Sequence, residues 1–151
     1  MRSFPVRSIP SFALTIILIA ATLPAIAAAA DHERYMWRVV GIKDGDTLAV
    51  NLPGLPQPLN PVAVRLRSVD APESGGRAKC ASERKLAERA TRFTRDAIAT
   101  ADRIEFEGPT WDKYGGRIDA DVWVDGERLA DQLIAAGLAR RYDGGKRAGW
   151  C

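Results

Sequence analysis

Histidine is nearly absent from this sequence, with His32 the only one among 151 residues. Mechanisms that need an imidazole base, such as serine–histidine triads, therefore have almost nothing to draw on. Cysteine is as scarce: Cys80 and Cys151 are the only two, and no CxxC pair occurs, so a tetrahedral zinc cluster is excluded. The chain has no GxxxxGK[ST] phosphate loop and no GxSxG elbow. Past residue 30 it also lacks any long apolar run. Catalysis, if the chain performs any, must run on carboxylates, arginines and a metal.

The first thirty residues stand apart. Arg2 and Arg7 give a positive start, residues 12–23 (FALTIILIAATL) are apolar without a charge, and Pro24 ends the run. Ala25-Ile26-Ala27 or Ala27-Ala28-Ala29 then offers the small-x-small pattern of a cleavage site. Residues 1–30 are thus expected to be a signal peptide and residues 31–151 the mature domain, periplasmic or secreted and free of the membrane once cleaved. A membrane anchor fits less well, because the charge-free stretch falls short of about 20 residues. Without that segment the chain carries 20 basic against 19 acidic residues, a net charge of +1. The pI near 9.1 is therefore a poor sign of a polyanion partner, since that inference needs a clustered basic face. A monomer is the default. In an oxidising compartment Cys80 and Cys151 are expected to bridge, with two free thiols as the alternative.

From Met36 the pattern is β first. Residues 36–43 and 47–52 flank Asp44-Gly45-Asp46, a hairpin signal that favours a type I′ turn. Pro53, Pro56, Pro58 and Pro61 mark a long exposed loop. Residues 62–69 alternate Val62, Val64 and Leu66 with Ala63, Arg65 and Arg67, a strand with one buried face. Leu86, Ala90, Phe93 and Ala97 recur at helical spacing, with Ser82 as candidate N-cap. Residues 103–106 and 118–124 predict two more strands, the latter ending at Asp125-Gly126. A second helix over 129–136 is stopped by Gly137. This order predicts an α+β fold, a small five-stranded OB-type β-barrel with two packed helices.

Three segments carry chemistry. Asp44-Gly45-Asp46-Thr47 is, taken singly, a turn. In Arg65-Leu66-Arg67-Ser68-Val69-Asp70-Ala71-Pro72-Glu73, a strand arginine precedes two carboxylates that straddle a proline bend. Asp112-Lys113-Tyr114-Gly115-Gly116-Arg117 is a tight loop presenting a second arginine. Each alone reads as solvated charge, but their order around one helix is far more specific. Together, over about residues 36–141, they resemble the staphylococcal nuclease family, whose pattern is DGDT, then R-x-x-x-V-D-x-P-E, then D-K-Y-G with a nearby arginine.

The resemblance implies a calcium-dependent nuclease acting on DNA and/or RNA. It implies Asp46, Asp70 and the backbone carbonyl of Ala71 as calcium ligands, in the open oxygen-rich site that calcium tolerates. It gives Glu73 the role of general base, and it makes Arg65 and Arg117 the guanidinium forks on the phosphate. Lys113 and Tyr114 match substrate contacts. Some features depart from the pattern: Ala71 stands where a threonine is usual, one glycine is inserted before Arg117, and of the base-stacking aromatic pair only Tyr142 has a counterpart. The family's C-terminal helix is missing, and a Cys80–Cys151 bridge is expected to pin the short tail to the start of the first helix in its place. A non-catalytic nucleic-acid- or protein-binding module on the same fold is the alternative; it is disfavoured because no acidic or arginine position is lost.

Overall fold

The computed structural model describes residues 33–151. The predicted signal segment and His32 lie outside the described residues. Within them, five longer strands carry the architecture: β2 (Arg38–Asp44), β3 (Thr47–Asn51), β4 (Val62–Leu66), β6 (Ile104–Trp111) and β7 (Arg117–Val124). The short strands β1 (Arg34–Tyr35), β5 (Val69–Asp70), β8 (Glu127–Arg128) and β9 (Arg140–Arg141) join them, as do helices α1 (Ala81–Thr100) and α2 (Leu129–Ala135). The main sheet runs β1-β6-β7-β4-β3-β2, with β8 paired to β7, and β5 pairs separately with β9. All its pairings are antiparallel except β4 with β7. A mixed sheet with two helices packed on it is an α+β fold consistent with the OB type. None of the described helices is long and apolar enough to cross a membrane.

Alternation builds the core. β4 and β7 bury every second residue, so Val62, Val64, Leu66, Ile118, Ala120, Val122 and Val124 line one interior with Leu48, Val50 and Phe106. From α2 and the turn after it, Leu129, Leu133 and Leu138 close this core. The turn that ends α2 is the glycine one foreseen, with Gly137 at φ +66°.

Three local expectations change. The strand predicted over 62–69 breaks after Leu66, because Ser68 takes a left-handed φ of +59° and redirects Val69–Asp70 into pairing with β9. Arg67 in the break is structural, since its guanidinium donates to the Asp119 carbonyl at 3.0 Å and to Thr110 at 3.2 Å. Second, α1 is capped at Cys80 rather than Ser82, and Glu83 in its first turn accepts the Lys79 N–H at 2.7 Å. The acidic side chain thus fastens the residue that precedes the N-cap onto the first turn of the helix.

The third change concerns Asp44-Gly45-Asp46. The positive-φ pair of a type I′ turn occurs at Asp125 (+50°) and Gly126 (+88°), whereas neither Gly45 nor Asp46 has positive φ. Gly45 is required by proximity. A Cβ there would lie 2.7 Å from the Ala90 Cβ of α1, and its carbonyl accepts the buried Thr94 hydroxyl at 2.7 Å. Gly45→Ala is accordingly expected to destabilise the protein by about 1–3 kcal/mol through overpacking. Urea denaturation checks this, and an unchanged midpoint would show that α1 yields without cost.

Candidate active site

The β2–β3 turn, the end of β4, the bend after β5 and the start of β7 converge on one small cavity. Asp46 sits at the turn, buried, with its carbonyl accepting the Leu66 N–H at 2.8 Å. Because Thr47 pairs with Arg65 across β3 and β4, the Arg65 guanidinium reaches the Asp46 carboxylate at 3.1 Å. Arg117 opens β7 beside Ala63 in the parallel β4–β7 register. Ala63 and Arg65 point to the same face of β4, so the two arginines share that face.

Arg117 follows the loop that holds the inserted glycine, in which Gly115 and Gly116 both take positive φ, +75° and +78°. Asp112 ties that loop down, accepting the Tyr114 N–H and the Arg117 Nη2, each at 2.6 Å. The Tyr114 N–H, and after it the Arg117 guanidinium, hold the Asp112 carboxyl below the usual carboxylate range against the opposing effect of burial.

Glu73 follows the Ala71-Pro72 bend. Its backbone N–H is 3.3 Å from the carboxylate of Glu83, which fastens the bend to α1. Its own carboxylate meets Arg77 Nε at 2.8 Å and Arg147 Nη1 at 3.1 Å. Asp46, Arg65, Ala71, Glu73 and Arg117 thus line a single cavity of about 80 Å³, with Asp44 and Arg77 as additional walls.

Asp70 is placed differently. It is buried and lines a neighbouring cavity of about 190 Å³, of which Ala71 and Glu73 are also walls. Lys113 and Tyr114 lie farther out, in a groove of about 760 Å³ that also includes Arg65, Arg117, Tyr142 and Arg147. The volume is in the range of small-ligand sites. Tyr142 thus faces the groove even though the second aromatic residue of a stacking pair is absent from the tail.

The donor set fits a hard cation. Burial, with a contribution from Asp44, pushes the Asp46 carboxyl up to about 6 despite the opposing Arg65. Asp44 Oδ1 and Asp70 Oδ1 are buried without a hydrogen bond, although Arg147 Nε lies 3.2 Å from Asp70 Oδ1. Concentrated carboxylate charge is what a calcium ion, which takes six to eight oxygen ligands, would relieve. Asp46, Asp70 and the Ala71 carbonyl are the residues that could hold it. The grouping of Cys80, Glu83 and Cys151 is of another kind. The two sulfurs form a disulfide, with Cα atoms 6.0 Å apart, and offer no thiolate.

A family model described as staphylococcal nuclease homologue matches residues 63–148. The chain belongs to the staphylococcal nuclease family. The matched stretch holds Arg65, Asp70, Glu73 and Arg117, and Asp46 lies ahead of it in the turn that leads into β3. A comparison with curated proteins returned no match. Membership supports a relationship to nucleases, metal dependence and nucleic acid as the class of substrate.

Sequence reasoning missed Asp44, Arg77, Glu83, Arg147 and Trp150 at this site. Arg77, four residues after Glu73, had a readable spacing. The tail residues had none, because Gly144, Gly145 and Gly149 leave no periodic pattern there.

Proposed function

We propose that this chain is an exported calcium-dependent nuclease that hydrolyses phosphodiester bonds of DNA and/or RNA. The observation that carries this reading is the convergence of Asp46, Arg65, Glu73 and Arg117 on one cavity. Glu73 is the general base, taking the proton from the attacking water through a carboxylate oxygen. Arg65 and Arg117 grip the non-bridging phosphate oxygens, a task to which planar guanidinium forks are suited. The Arg117 guanidinium is anchored for this task by Asp112 at 2.6 Å, with Asp119 3.8 Å from its Nε. Lys113, Tyr114 and Tyr142 line the groove that receives the flanking nucleotides. A calcium ion bound by Asp46, Asp70 and the Ala71 carbonyl would polarise the phosphate and neutralise its developing charge.

Mature protein incubated with single-stranded DNA and RNA, in calcium or in a chelator, tests the proposal. Cleavage in calcium that the chelator abolishes is the expected result. Binding without cleavage under both conditions would instead assign the fold to a non-catalytic module.

A further inference from the structure

The C-terminal residues fold back over the edge of the site. Tyr142 N–H donates to the Ser68 carbonyl at 3.1 Å, Arg140 Nη1 donates to the Gly149 carbonyl at 2.9 Å, and the bridge Cys80–Cys151 ties the last residue to the start of α1. The Arg140 guanidinium lies 3.8 Å from the centre of the Trp150 ring, which fixes the ring's face. Held this way, the Trp150 indole Nε1 donates to Asp70 Oδ2 at 3.2 Å.

The two oxygens of Asp70 are thereby made unequal. Oδ2 is occupied by the indole, a group that can only donate. Oδ1 is buried and has no hydrogen bond, although Arg147 Nε stands in ion-pair range at 3.2 Å. Rotation of the carboxylate would cost the indole bond, so Oδ1 keeps a fixed direction, toward the Arg147 guanidinium that a bound cation would displace. Outer partners that orient a ligating carboxylate in this manner are a general feature of metal sites.

We propose that residues 142–151 are a disulfide-tethered strap, and that Trp150 is a positioning residue whose N–H sets the Asp70 carboxylate for the cation. This rests on the reading of Asp70 as a metal ligand given above. The tether is expected from Cys80 and Cys151, whereas nothing in the sequence around Trp150 points to its contact with Asp70.

Calorimetric titration of the metal-free mature protein with calcium chloride tests this without recourse to activity. Trp150→Phe keeps the ring over Arg140 and removes only the donor. It is expected to weaken calcium binding about 10–100-fold while the melting temperature in chelator stays near that of the parent. Should that variant fail to fold, the Cys80→Ser/Cys151→Ser variant, measured below its melting temperature, is expected to show at least the same loss because the strap is untied. Calcium affinity equal to the parent's in whichever variant folds would overturn the inference and leave the metal site standing. A parent protein that binds no calcium would overturn both.

Discussion

Arg117→Ala is expected to lower the rate of phosphodiester cleavage by about 10²–10³-fold, the usual loss when one preorganised donor to a developing oxyanion is removed. Arg117 reaches the cavity from the first position of β7, and its Nη2 is held by Asp112 while Nε makes no hydrogen bond. The guanidinium is thus anchored by the protein through Asp112, with Asp119 3.8 Å from its buried Nε. The loss should fall mainly on kcat, because charge on the phosphate grows between ground state and transition state. Arg117→Lys is expected to recover only part of the rate, since an ammonium supplies charge without the two-pronged fork. Arg117 is about a third exposed, so the fold should persist, and the melting temperature provides that control. An Arg117→Ala enzyme with parental kcat would show that the inserted glycine has carried the arginine out of the chemistry.

Replacing both cysteines by serine is expected to cost roughly 4 kcal/mol, the loop-closure entropy of a bridge spanning 71 residues. For a domain of this size the total stability is on the order of 5–15 kcal/mol, so the loss is a large fraction of it. The bridge joins the N-cap of α1 to Cys151, and among the described residues no helix follows α2. Urea denaturation of parent and double variant measures the difference, read from the midpoint at an unchanged slope. A difference below about 1 kcal/mol would mean that the hydrogen bonds from Tyr142 and Arg140 hold the tail unaided.

Legibility followed periodicity. The five longer strands and both helices were readable because Val62, Val64 and Leu66, or Leu86, Ala90 and Phe93, repeat at the spacing of one buried face. Arg65, Glu73 and Arg117 were readable because their motifs are local in sequence. What could not be read depends on contacts between distant segments. Gly45 looked like a turn residue, and only the approach of Ala90 shows that it is needed for space. Ser82 had the side chain of a cap, yet the helix begins one residue past Cys80, where Glu83 can reach the Lys79 N–H. Trp150 and Arg147 reach Asp70 from about eighty residues away along a glycine-rich tail, and no pattern in the chain announces that meeting.

Glu73 carries the central claim. The decisive measurement is the cleavage rate of Glu73→Gln with single-stranded DNA in saturating calcium, alongside its affinity for the same DNA. Glutamine keeps the size and an acceptor oxygen toward Arg77 and Arg147 but is far too weak a base to take a proton from water. A rate at least tenfold below the parent with DNA binding retained is expected. Cleavage at the parental rate would contradict the claim and remove Glu73 from the mechanism.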